Sequence, residues 1–421
     1  MTEETTRAAV EAVWRLESTR LVAGLVRIVR DVGLAEDLAQ DALVAALDTW
    51  PRAGIPDRPA AWLMTIAKRR AVDLYRRHER RDVLYEAIAR DRGADVVEPD
   101  FAAAVDHVED DVLRLMFVCC HPSLTAEART TLTLKLVGGL SSREIARAYL
   151  TSEATITQRV VRAKRTLAEA GAALDEPVGA ERAARLAAVL GVVYLLFNEG
   201  YSATEGSDWT RPDLCAEAVR LGRILTTLVP DEPEVHGLSA LMELQSSRLR
   251  ARVGPDGEPV LLADQDRTRW DHARIRRGLD ALDRSAQLTR QPGPYALQAA
   301  IAACHARAAR PEDTDWAAVA DLYERLGRLG GTAVTELNRA VALGMAYGPA
   351  AGLTLVDQIA GEPALKGYHL LPSVRGDLLE RLGRPDEARA EFERAAELTR
   401  NDRERRLLLE RAAALSRLPR G

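Results

Sequence analysis

Residues 34–43 read LAEDLAQDAL and have the two faces of an amphipathic helix. The apolar residues that recur at helical spacing, and that we expect to face a core, are Leu34, Leu38, Ala42 and Leu43. Asp37, Gln40 and Asp41 lie three and four residues apart and therefore share the other surface. An acidic, hydrogen-bonding surface beside apolar residues suits docking to a basic partner helix. For this segment alone, the alternative is an ordinary solvated helix face.

A strongly basic helix is predicted shortly after the acidic one. Residues 59–77 read PAAWLMTIAKRRAVDLYRR, and Pro59 fits the first turn of a helix. Residues 62–81 carry seven Lys or Arg against two Asp or Glu, whereas residues 36–48 carry four acids and no base. A basic helix with an anchored apolar face is suited to following a phosphate backbone. We expect Trp62 to pack in the core rather than to stack on a base.

A helix-turn-helix is predicted over residues 140–167, which read LSSREIARAYLTSEATITQRVVRAKRTL. Ser141 or Ser142 can cap the first helix, and Glu144 follows Ser141 at the spacing of a capping box. Ser152 can cap the second helix, whose N-terminal part enters the major groove in this motif. The exposed side chains expected there are Glu153, Thr155, Thr157, Gln158 and Arg159. The side chains expected to contact phosphates are Arg162, Lys164 and Arg165.

The order of these segments resembles conserved regions 2 and 4 of extracytoplasmic-function (ECF) RNA polymerase sigma factors. The acidic helix, Trp50-Pro51 and the pattern WLxxIAxxRAxDxxR match region 2, and LSxxEIA followed by a basic helix matches region 4. The resemblance implies two partners, core RNA polymerase and promoter DNA. The implied contacts to the clamp helices of the largest polymerase subunit are Asp37, Gln40 and Asp41, and the polymerase flap is a further implied contact.

The resemblance also implies two DNA-binding surfaces. The surface for the −10 element comprises Arg52, Arg58, Lys68, Arg69, Arg70, Arg76 and Arg77. The surface for the −35 element comprises Thr155, Thr157, Gln158, Arg159, Arg162, Lys164 and Arg165. The loop at residues 52–58 is the expected pocket for a flipped −10 base, which must offset the few kcal/mol of unstacking. Arg69 departs from the family, which commonly has Asn there, and this puts its strand contact in doubt.

Composition and the breaks in helical pattern predict an all-α protein of several domains. The chain has 421 residues, of which 47% are hydrophobic and 29% charged, and its net charge is −5. Runs of alternating β-branched residues are scarce, so we expect almost no sheet. The expected domains are sigma region 2 at residues 5–80, a linker at 81–109, sigma region 4 at 110–170 and a C-terminal extension at 181–421.

The extension carries an internal repeat of about 36 residues. Segments 296–308, 332–344 and 368–380 align as first helices, and segments 316–326, 352–362 and 388–398 align as second helices. The last unit, with Ala388, Phe392 and Ala395, resembles the second helix of a tetratricopeptide repeat. An ordinary helical bundle is the alternative. Repeated helix pairs must stack on their neighbours to bury their apolar faces.

Further stretches of the extension are similar to the ECF subgroup with a tetratricopeptide-like (TPR-like) C-terminal domain, at residues 197–203, 230–242, 264–271 and 337–342. This resemblance implies that the extension regulates the sigma activity in place of a membrane anti-sigma factor. The expected partner of the extension is a regulatory protein or a ligand, neither identified by the sequence. Asn198, Glu199 and Tyr201 either line a ligand cleft or tie the extension to the DNA-binding half. The extension either clamps the sigma regions apart from polymerase or braces them in the active arrangement.

Cysteine spacing and hydropathy argue against a cofactor and a membrane anchor. The cysteines at positions 119, 120, 215 and 304 lack the spacing of zinc fingers or disulfide scaffolds, so we expect no metal and no other cofactor. Cys119-Cys120-His121 is expected to pack in the core, with redox sensing as the alternative. The sequence has neither a signal peptide nor an apolar run of about 18 residues, so we expect a cytoplasmic protein.

Two other functional classes compete with a sigma factor. A helix-turn-helix regulator with a TPR-like sensor domain would bind duplex DNA without polymerase, and it would have no use for the acidic helix. An enzyme built around Asn198, Glu199, Tyr201 and His236 would need a nucleophile and base, and the sequence offers no such pair. We therefore expect a specificity subunit of RNA polymerase without catalytic activity of its own.

Overall fold

The computed structural model describes residues 3–86, 108–149, 151–171, 179–201, 212–254, 260–399 and 401–416. Over these ranges the chain forms α-helices joined by loops and short 3₁₀ turns, without a β-strand. The predicted all-α fold is therefore confirmed. The chain divides into two compact units, Met1–Val192 and Val193–Gly421. The domain boundaries drawn from the sequence stay predictions, and most of the predicted linker lies outside the described residues.

The first unit contains the two segments that resemble sigma regions. Its helices are α1 (Glu3–Val29), α2 (Val32–Ala53), α3 (Pro59–Glu86), α4 (Val108–Cys119), α5 (Ala126–Leu136), α6 (Ser142–Ala148), α7 (Glu153–Glu169) and the first part of α8 (Gly179–Tyr201). Helix α1 contacts α2 and α3 and also α4 and α5, so it joins the cores of both segments. Leu25 of α1 is fully buried.

Local sequence sets the ends of α2. The Asp31 carboxylate accepts a hydrogen bond from the Leu34 amide at 2.7 Å and thereby caps the helix. Pro51 lies inside the last turn, and the helix ends at Ala53. Gly54 follows with a φ of +82°, a conformation that residues with a side chain rarely adopt. The loop before α3 therefore begins at Gly54, two residues later than the predicted start of the −10 loop.

The second unit is a succession of α-helices, and the connection between α10 and α11 is a longer stretch that contains three 3₁₀ turns. Its helices after α8 are α9 (Pro212–Leu228), α10 (Pro233–Ser246), α11 (His272–Leu288), α12 (Pro294–Arg307), α13 (Trp316–Arg328), α14 (Ala333–Ala346), α15 (Pro349–Ile359), α16 (Leu370–Arg381), α17 (Pro385–Leu398) and α18 (Asp402–Leu415). Its 3₁₀ turns are Leu249–Ala251, Leu262–Asp264, Arg267–Arg269, Pro311–Asp313 and Pro363–Leu365. From α12 onward each helix contacts the next one along the chain.

Three helix pairs, α12–α13, α14–α15 and α16–α17, occupy the segments predicted as repeats. In the last pair Phe392 is fully buried, and its ring lies 2.8 Å from the position that a Cβ on Gly376 would take. Ala388 and Ala395 are also fully buried. The small residues let α16 and α17 approach closely around one aromatic ring, as the sequence pattern predicted.

Within the described ranges, no helix combines the length and the apolar character needed to cross a bilayer.

Candidate nucleic-acid interface

Helix α2 carries its acidic residues on the solvent side. The predicted polymerase-binding side chains, all exposed, are Asp37, Gln40 and Asp41. On the opposite face Leu38 and Ala42 are buried, whereas Leu34 and Leu43 are only half-buried. The buried face of α2 also includes Ala35, Ala39 and Ala46, so Leu34 and Leu43 lie at the margins of that face.

The predicted polymerase-binding and DNA-binding surfaces meet between α2 and α3. Asp41 Oδ2 lies 2.8 Å from Arg70 NH1, which joins a predicted polymerase contact to a predicted −10 contact. Gln40 Nε2 donates a hydrogen bond to Glu36 Oε1 at 2.9 Å. Among the described residues Asp37 has no such partner, so it is the most available acid on this surface.

The loop between α2 and α3 is anchored by two tryptophans. Trp50 is almost fully buried, and its ring meets that of Trp62 edge to face with the centroids 5.4 Å apart. Trp62 is half-buried, which fits the expectation that it packs. Arg52 in the last turn of α2 and Arg58 just before α3 are both exposed. The two exposed arginines therefore flank a loop whose ends are held by the packed tryptophan pair.

The basic side chains of α3 differ in their surroundings. Arg69 and Arg76 are exposed, and Lys68 is half-buried. Burial, followed by the neighbouring charge of Arg27, lowers the pKa of the Lys68 ammonium. The side chain of Arg77 lies outside the described part of the chain. Arg69 and Arg76 are therefore the exposed cations that α3 contributes to this face.

The helix-turn-helix forms as predicted, with both of its caps. Glu144 accepts a hydrogen bond from the Ser141 amide at 2.8 Å, and the Glu144 amide donates to Ser141 Oγ at 3.2 Å, which completes a capping box. Ser152 Oγ accepts from the Thr155 amide at 3.1 Å at the start of α7. Ile145 and Ile156 are fully buried and fix the angle between α6 and α7.

The first two turns of α7 present polar side chains to solvent. The exposed residues among those predicted to read the −35 element are Thr155, Thr157, Gln158, Arg162 and Arg165. Thr155 Oγ1 also lies 2.8 Å from Ser152 Oγ, and Thr157 Oγ1 donates to the Glu153 carbonyl at 2.9 Å. Gln158 and Arg162 stand one helical turn apart. Gln158, a predicted base-edge contact, and Arg162, a predicted phosphate contact, therefore lie next to each other on the exposed face of α7.

Three of the predicted −35 cations already have acidic partners. Arg159 is half-buried, lies 3.5 Å from Glu127 and donates to Thr131 Oγ1 at 3.3 Å. Arg165 donates to Glu169 Oε1 at 2.6 Å on its own helix. Lys164 Nζ lies 2.5 Å from Glu36 Oε2 on α2, far away along the chain. The phosphate-contacting role assigned to Lys164 therefore competes with an ion pair inside the protein.

Glu36 makes a buried contact with the recognition helix that the sequence pattern did not reveal. It is only 5% exposed, and besides Lys164 it has Lys135 Nζ of α5 at 3.8 Å. A buried carboxylate needs such cations, because removing a charge from water is unfavourable unless it is paired. Its immediate neighbours are an alanine and an aspartate, and nothing local distinguishes Glu36 from the exposed acids of the same helix.

Other polar contacts join the two sigma-like segments near α1. Arg27 Nε lies 3.3 Å from the buried carboxylate of Asp111 on α4. Thr19 Oγ1 donates a hydrogen bond to the Val137 carbonyl at 2.8 Å. Together with Glu36 and Lys164, these contacts hold the acidic helix α2 and the recognition helix α7 in one compact unit.

Cys119 and Cys120 lie in the core at the end of α4. Both are fully buried, and Cys120 Sγ is 3.8 Å from Thr133 Oγ1. Burial raises the pKa of Cys119 well above its ordinary value and raises that of Cys120 to about 12. Because the thiolate is the reactive form, these thiols pack as predicted and are poorly suited to redox sensing. Over the described ranges, no cluster of three potential metal ligands is found.

Sequence comparison matches three parts of the chain. Sigma-70 region 2 matches residues 15–81, Sigma-70 region 4 matches residues 114–167, and a family of unknown function, DUF6596, matches residues 185–286. No solved structure matches.

Relatives match either the whole chain or its first part. An uncharacterized protein of Rhizobium meliloti (strain 1021) is 47% identical over 383 residues, which cover 90% of this chain and 89% of that protein. The ECF RNA polymerase sigma factor SigK of Mycobacterium ulcerans (strain Agy99) is 34% identical over 156 residues, 35% of this chain and 78% of SigK. SigK of Mycobacterium bovis (strain BCG / Pasteur 1173P2) is 32% identical over 168 residues, 38% and 84% of the two chains.

The capped helix-turn-helix behind an acidic and a basic helix defines a protein of the sigma-70 class. The chain belongs to the ECF RNA polymerase sigma factors, and it carries a DUF6596 region after its sigma regions.

Proposed function

We propose that this chain binds core RNA polymerase and directs transcription initiation at specific promoters, without catalysing a reaction itself. One observation supports this most directly: an exposed acidic surface on α2 and an exposed, N-capped recognition helix α7 occur in the same compact unit. Such a unit has one surface for polymerase and another for DNA. A regulator that binds duplex DNA alone would have no use for the first.

Within this proposal the acidic surface docks on the clamp helices of the largest polymerase subunit. Asp37 and Asp41 supply the charge, and Gln40 supplies hydrogen bonds. The Arg70 guanidinium, 2.8 Å from Asp41, holds that carboxylate in place beside the DNA face. Region 4 at residues 110–170 would lie at the polymerase flap. Region 2, at residues 5–80, would hold the clamp.

DNA binding is proposed to follow the division of labour between base and phosphate contacts. For the −10 element the proposed contacts are Arg52, Arg58, Lys68, Arg69, Arg70, Arg76 and Arg77. For the −35 element they are Thr155, Thr157, Gln158, Arg159, Arg162, Lys164 and Arg165. Lys164 can contact a phosphate only after its ion pair with Glu36 has broken, because an ammonium 2.5 Å from a buried carboxylate is not available to a phosphate.

The extension at residues 181–421 is proposed to regulate the sigma regions. It is longer than both of them together, and its stacked helix pairs α12 to α17 offer a continuous surface suited to holding a ligand or a partner.

The test is in vitro transcription with purified core polymerase on genomic fragments, combined with co-purification of the polymerase. The variant Asp37→Arg/Asp41→Arg reverses two charges on α2, and we expect it to lose polymerase binding while the protein stays folded. The matched control is Asp280→Arg/Asp283→Arg, which makes the same change of charge on the exposed surface of α11.

The control variant should bind polymerase like the unmodified protein. If both variants co-purified with polymerase equally well, the acidic surface of α2 would not be the docking site. Promoter-specific transcripts that appear without added sigma-like chain, or sequence-specific duplex binding that is unaffected by polymerase, would favour the helix-turn-helix regulator instead.

A further inference from the structure

A group of arginines gathers in the second unit, on two 3₁₀ turns and beside the end of α8. Arg248 and Arg252 flank the turn Leu249–Ala251, and Arg267 begins the turn Arg267–Arg269. The two turns contact each other. We call Arg248, Arg252 and Arg267 the arginine cluster. None of its members is among the residues proposed to contact polymerase or promoter DNA.

Aromatic rings hold the faces of these guanidinium groups. The Arg252 Cζ atom lies 3.8 Å from the centroid of the Tyr201 ring, and Arg248 Cζ lies 5.6 Å from the same centroid. Arg267 Cζ lies 4.9 Å from the ring centroid of Trp270. A guanidinium that stacks on a ring keeps its N–H donors at its edge, where they can bind an oxyanion in a forked arrangement.

Backbone hydrogen bonds fix the cluster further. Arg252 NH2 donates to the Tyr201 carbonyl at 3.2 Å. Arg267 NH1 donates to the carbonyls of His305 and Ala308, both at 2.6 Å. The guanidinium positions are therefore set by the fold, and a ligand would not have to order them.

Positive charge exceeds negative charge in the cluster. Among the described residues no carboxylate pairs with Arg248, and its ring contact with Tyr201 is neutral. Burial and then the charge of Arg248 lower the pKa of Arg267, and the acids Glu312 and Asp313 counteract this only in part. Like charges held together away from water raise the free energy of the folded chain.

A second arginine group in the same unit shows the contrast. Glu243, 2% exposed, is surrounded by Arg223, Arg274 and Arg277, so there the chain supplies its own buried carboxylate. Among the described residues, Arg248 has no carboxylate partner equivalent to Glu243.

Buried polar atoms next to the cluster also lack a partner among the described residues. Trp270 is 5% exposed, and within the described ranges its Nε1–H makes no hydrogen bond. The same holds for the buried Arg267 Nε–H and for His305 Nδ1, a ring nitrogen that can donate or accept. Buried polar atoms in native proteins are nearly always paired, so unpaired donors beside stacked cations point to a missing acceptor.

We propose that the arginine cluster is a binding site for a doubly charged oxyanion, of the kind carried by a small phosphorylated molecule. Two guanidinium groups fixed by backbone hydrogen bonds, those of Arg252 and Arg267, and the neighbouring Arg248 match the charge of about −1.5 to −2 and the several acceptor oxygens of a phosphate group better than they match a single carboxylate. The site lies wholly within the second unit, so it does not depend on the sigma activity proposed above.

The experiment measures anion binding by the full-length chain with inorganic phosphate as the probe. Thermal unfolding and calorimetric titration are run at constant ionic strength with phosphate, with acetate and with citrate. The test variant is Arg248→Gln. The matched control is Arg250→Gln, two residues further along the same turn and exposed to solvent.

We expect phosphate to raise the Tm of the unmodified chain more than acetate or citrate does. Arg248→Gln should weaken phosphate binding by about tenfold or more, because it removes a charge-assisted contact, while Arg250→Gln should keep it. Without any anion, Arg248→Gln should unfold at the same temperature as the unmodified chain or at a higher one, since it relieves repulsion.

Three results would overturn the proposal. The first is a Tm shift with phosphate no larger than that with acetate, and the second is tighter binding of citrate than of phosphate. The third is a lower Tm of Arg248→Gln in anion-free buffer with phosphate binding unchanged, which is the behaviour of an arginine that only supports the fold.

Discussion

His305 of α12 is a buried imidazole close to positive charges. Its ring meets Trp316 edge to face at 5.1 Å between centroids. Burial, and then the charges of Arg248 and Arg267, lower the pKa of His305 to about 4. An unfolded histidine titrates near pH 6.5. Between these two values the unfolded chain binds a proton that the folded chain does not, so the folded state loses stability as the pH falls.

We predict that His305 alone lowers the free energy of unfolding by up to about 3 kcal/mol between pH 6.5 and pH 4, with no further loss below that range. His305→Asn removes this contribution, because an amide does not titrate. The measurement is denaturant unfolding of both proteins across this range in phosphate-free buffer. A difference between the two that does not change with pH would contradict the assigned pKa.

At the residue scale, sequence reasoning succeeded where the interaction is local. Ser141 and Glu144 stand three residues apart, so their capping box could be recognised from spacing alone. Glu36 could not be recognised, because its partner Lys164 lies on another helix and is fixed only by tertiary packing. Arg248, which has no carboxylate partner among the described residues, was missed for the same reason, since Tyr201 and Arg267 beside it come from distant segments.

At the scale of elements, the contact between α2 and α7 rests on one buried carboxylate. Glu36 balances Lys164 and Lys135, whose side chains are 18% and 20% exposed. Removing one partner of a mostly buried pair leaves the other charge uncompensated, which costs a few kcal/mol. The pair also withholds Lys164 from DNA.

We predict that Glu36→Gln lowers the free energy of unfolding of the first unit by about 2–3 kcal/mol and at the same time strengthens nonspecific DNA binding. Lys164 is then available for a phosphate, so the salt dependence of binding should steepen by about one ion. Lys164→Gln breaks the same pair and should lower stability without strengthening DNA binding. Equal DNA affinity of the two variants would show that the pair does not mask Lys164.

The recognition helix gives a second test at this scale. Gln158 and Arg162 are both exposed and one turn apart, and the first is assigned to a base edge and the second to a phosphate. We predict that Gln158→Ala loses about 1–3 kcal/mol of −35 preference, whereas Arg162→Ala weakens binding to all sequences and flattens the salt dependence. Competition binding with matched and mismatched −35 duplexes measures both. A change of base preference with Arg162→Ala alone would mean that the register assigned to α7 is wrong.

The repeated helices of the second unit were predicted from the sequence, but their first and last residues were predicted less accurately. The segment predicted at 352–362 forms α15, but the helix starts at Pro349 after Gly348, whose φ is +97°. Proline suits the first turn and glycine suits the preceding bend, so the signal was present in the sequence. The repeat alignment set the start of this helix by similarity with the neighbouring units and did not use the Gly348-Pro349 signal.

At the scale of the molecule, the boundary between the two compact units falls at Val192, inside α8. We predict that a chain of residues 1–192 folds cooperatively, because it keeps the core around α1 and the Glu36–Lys164 pair. With core polymerase its promoter output should be lower than that of the full chain, as expected if the extension braces the sigma regions.

Circular dichroism and run-off transcription measure the two parts of this prediction. Higher output from the 1–192 chain would mean that the extension acts as a clamp instead. Equal output and equal polymerase affinity would remove the regulatory role of the extension altogether.

The contact between α2 and α7 has a consequence for the geometry of promoters. Elements at −10 and −35 are about 25 base pairs apart, or roughly 85 Å along the duplex at about 3.4 Å per pair. Most of the proposed −10 contacts lie on α3, which packs against α2, and α2 is joined to α7 by the Glu36–Lys164 ion pair. The two proposed DNA-binding surfaces are therefore too close together to lie on both elements at once. A chain in this arrangement contacts half of a promoter at most, and a chromosome offers about 10⁶ or more competing nonspecific sites. Such a chain does not select one promoter among these sites until its two DNA-binding surfaces separate. In the proposed function, binding to polymerase causes that separation.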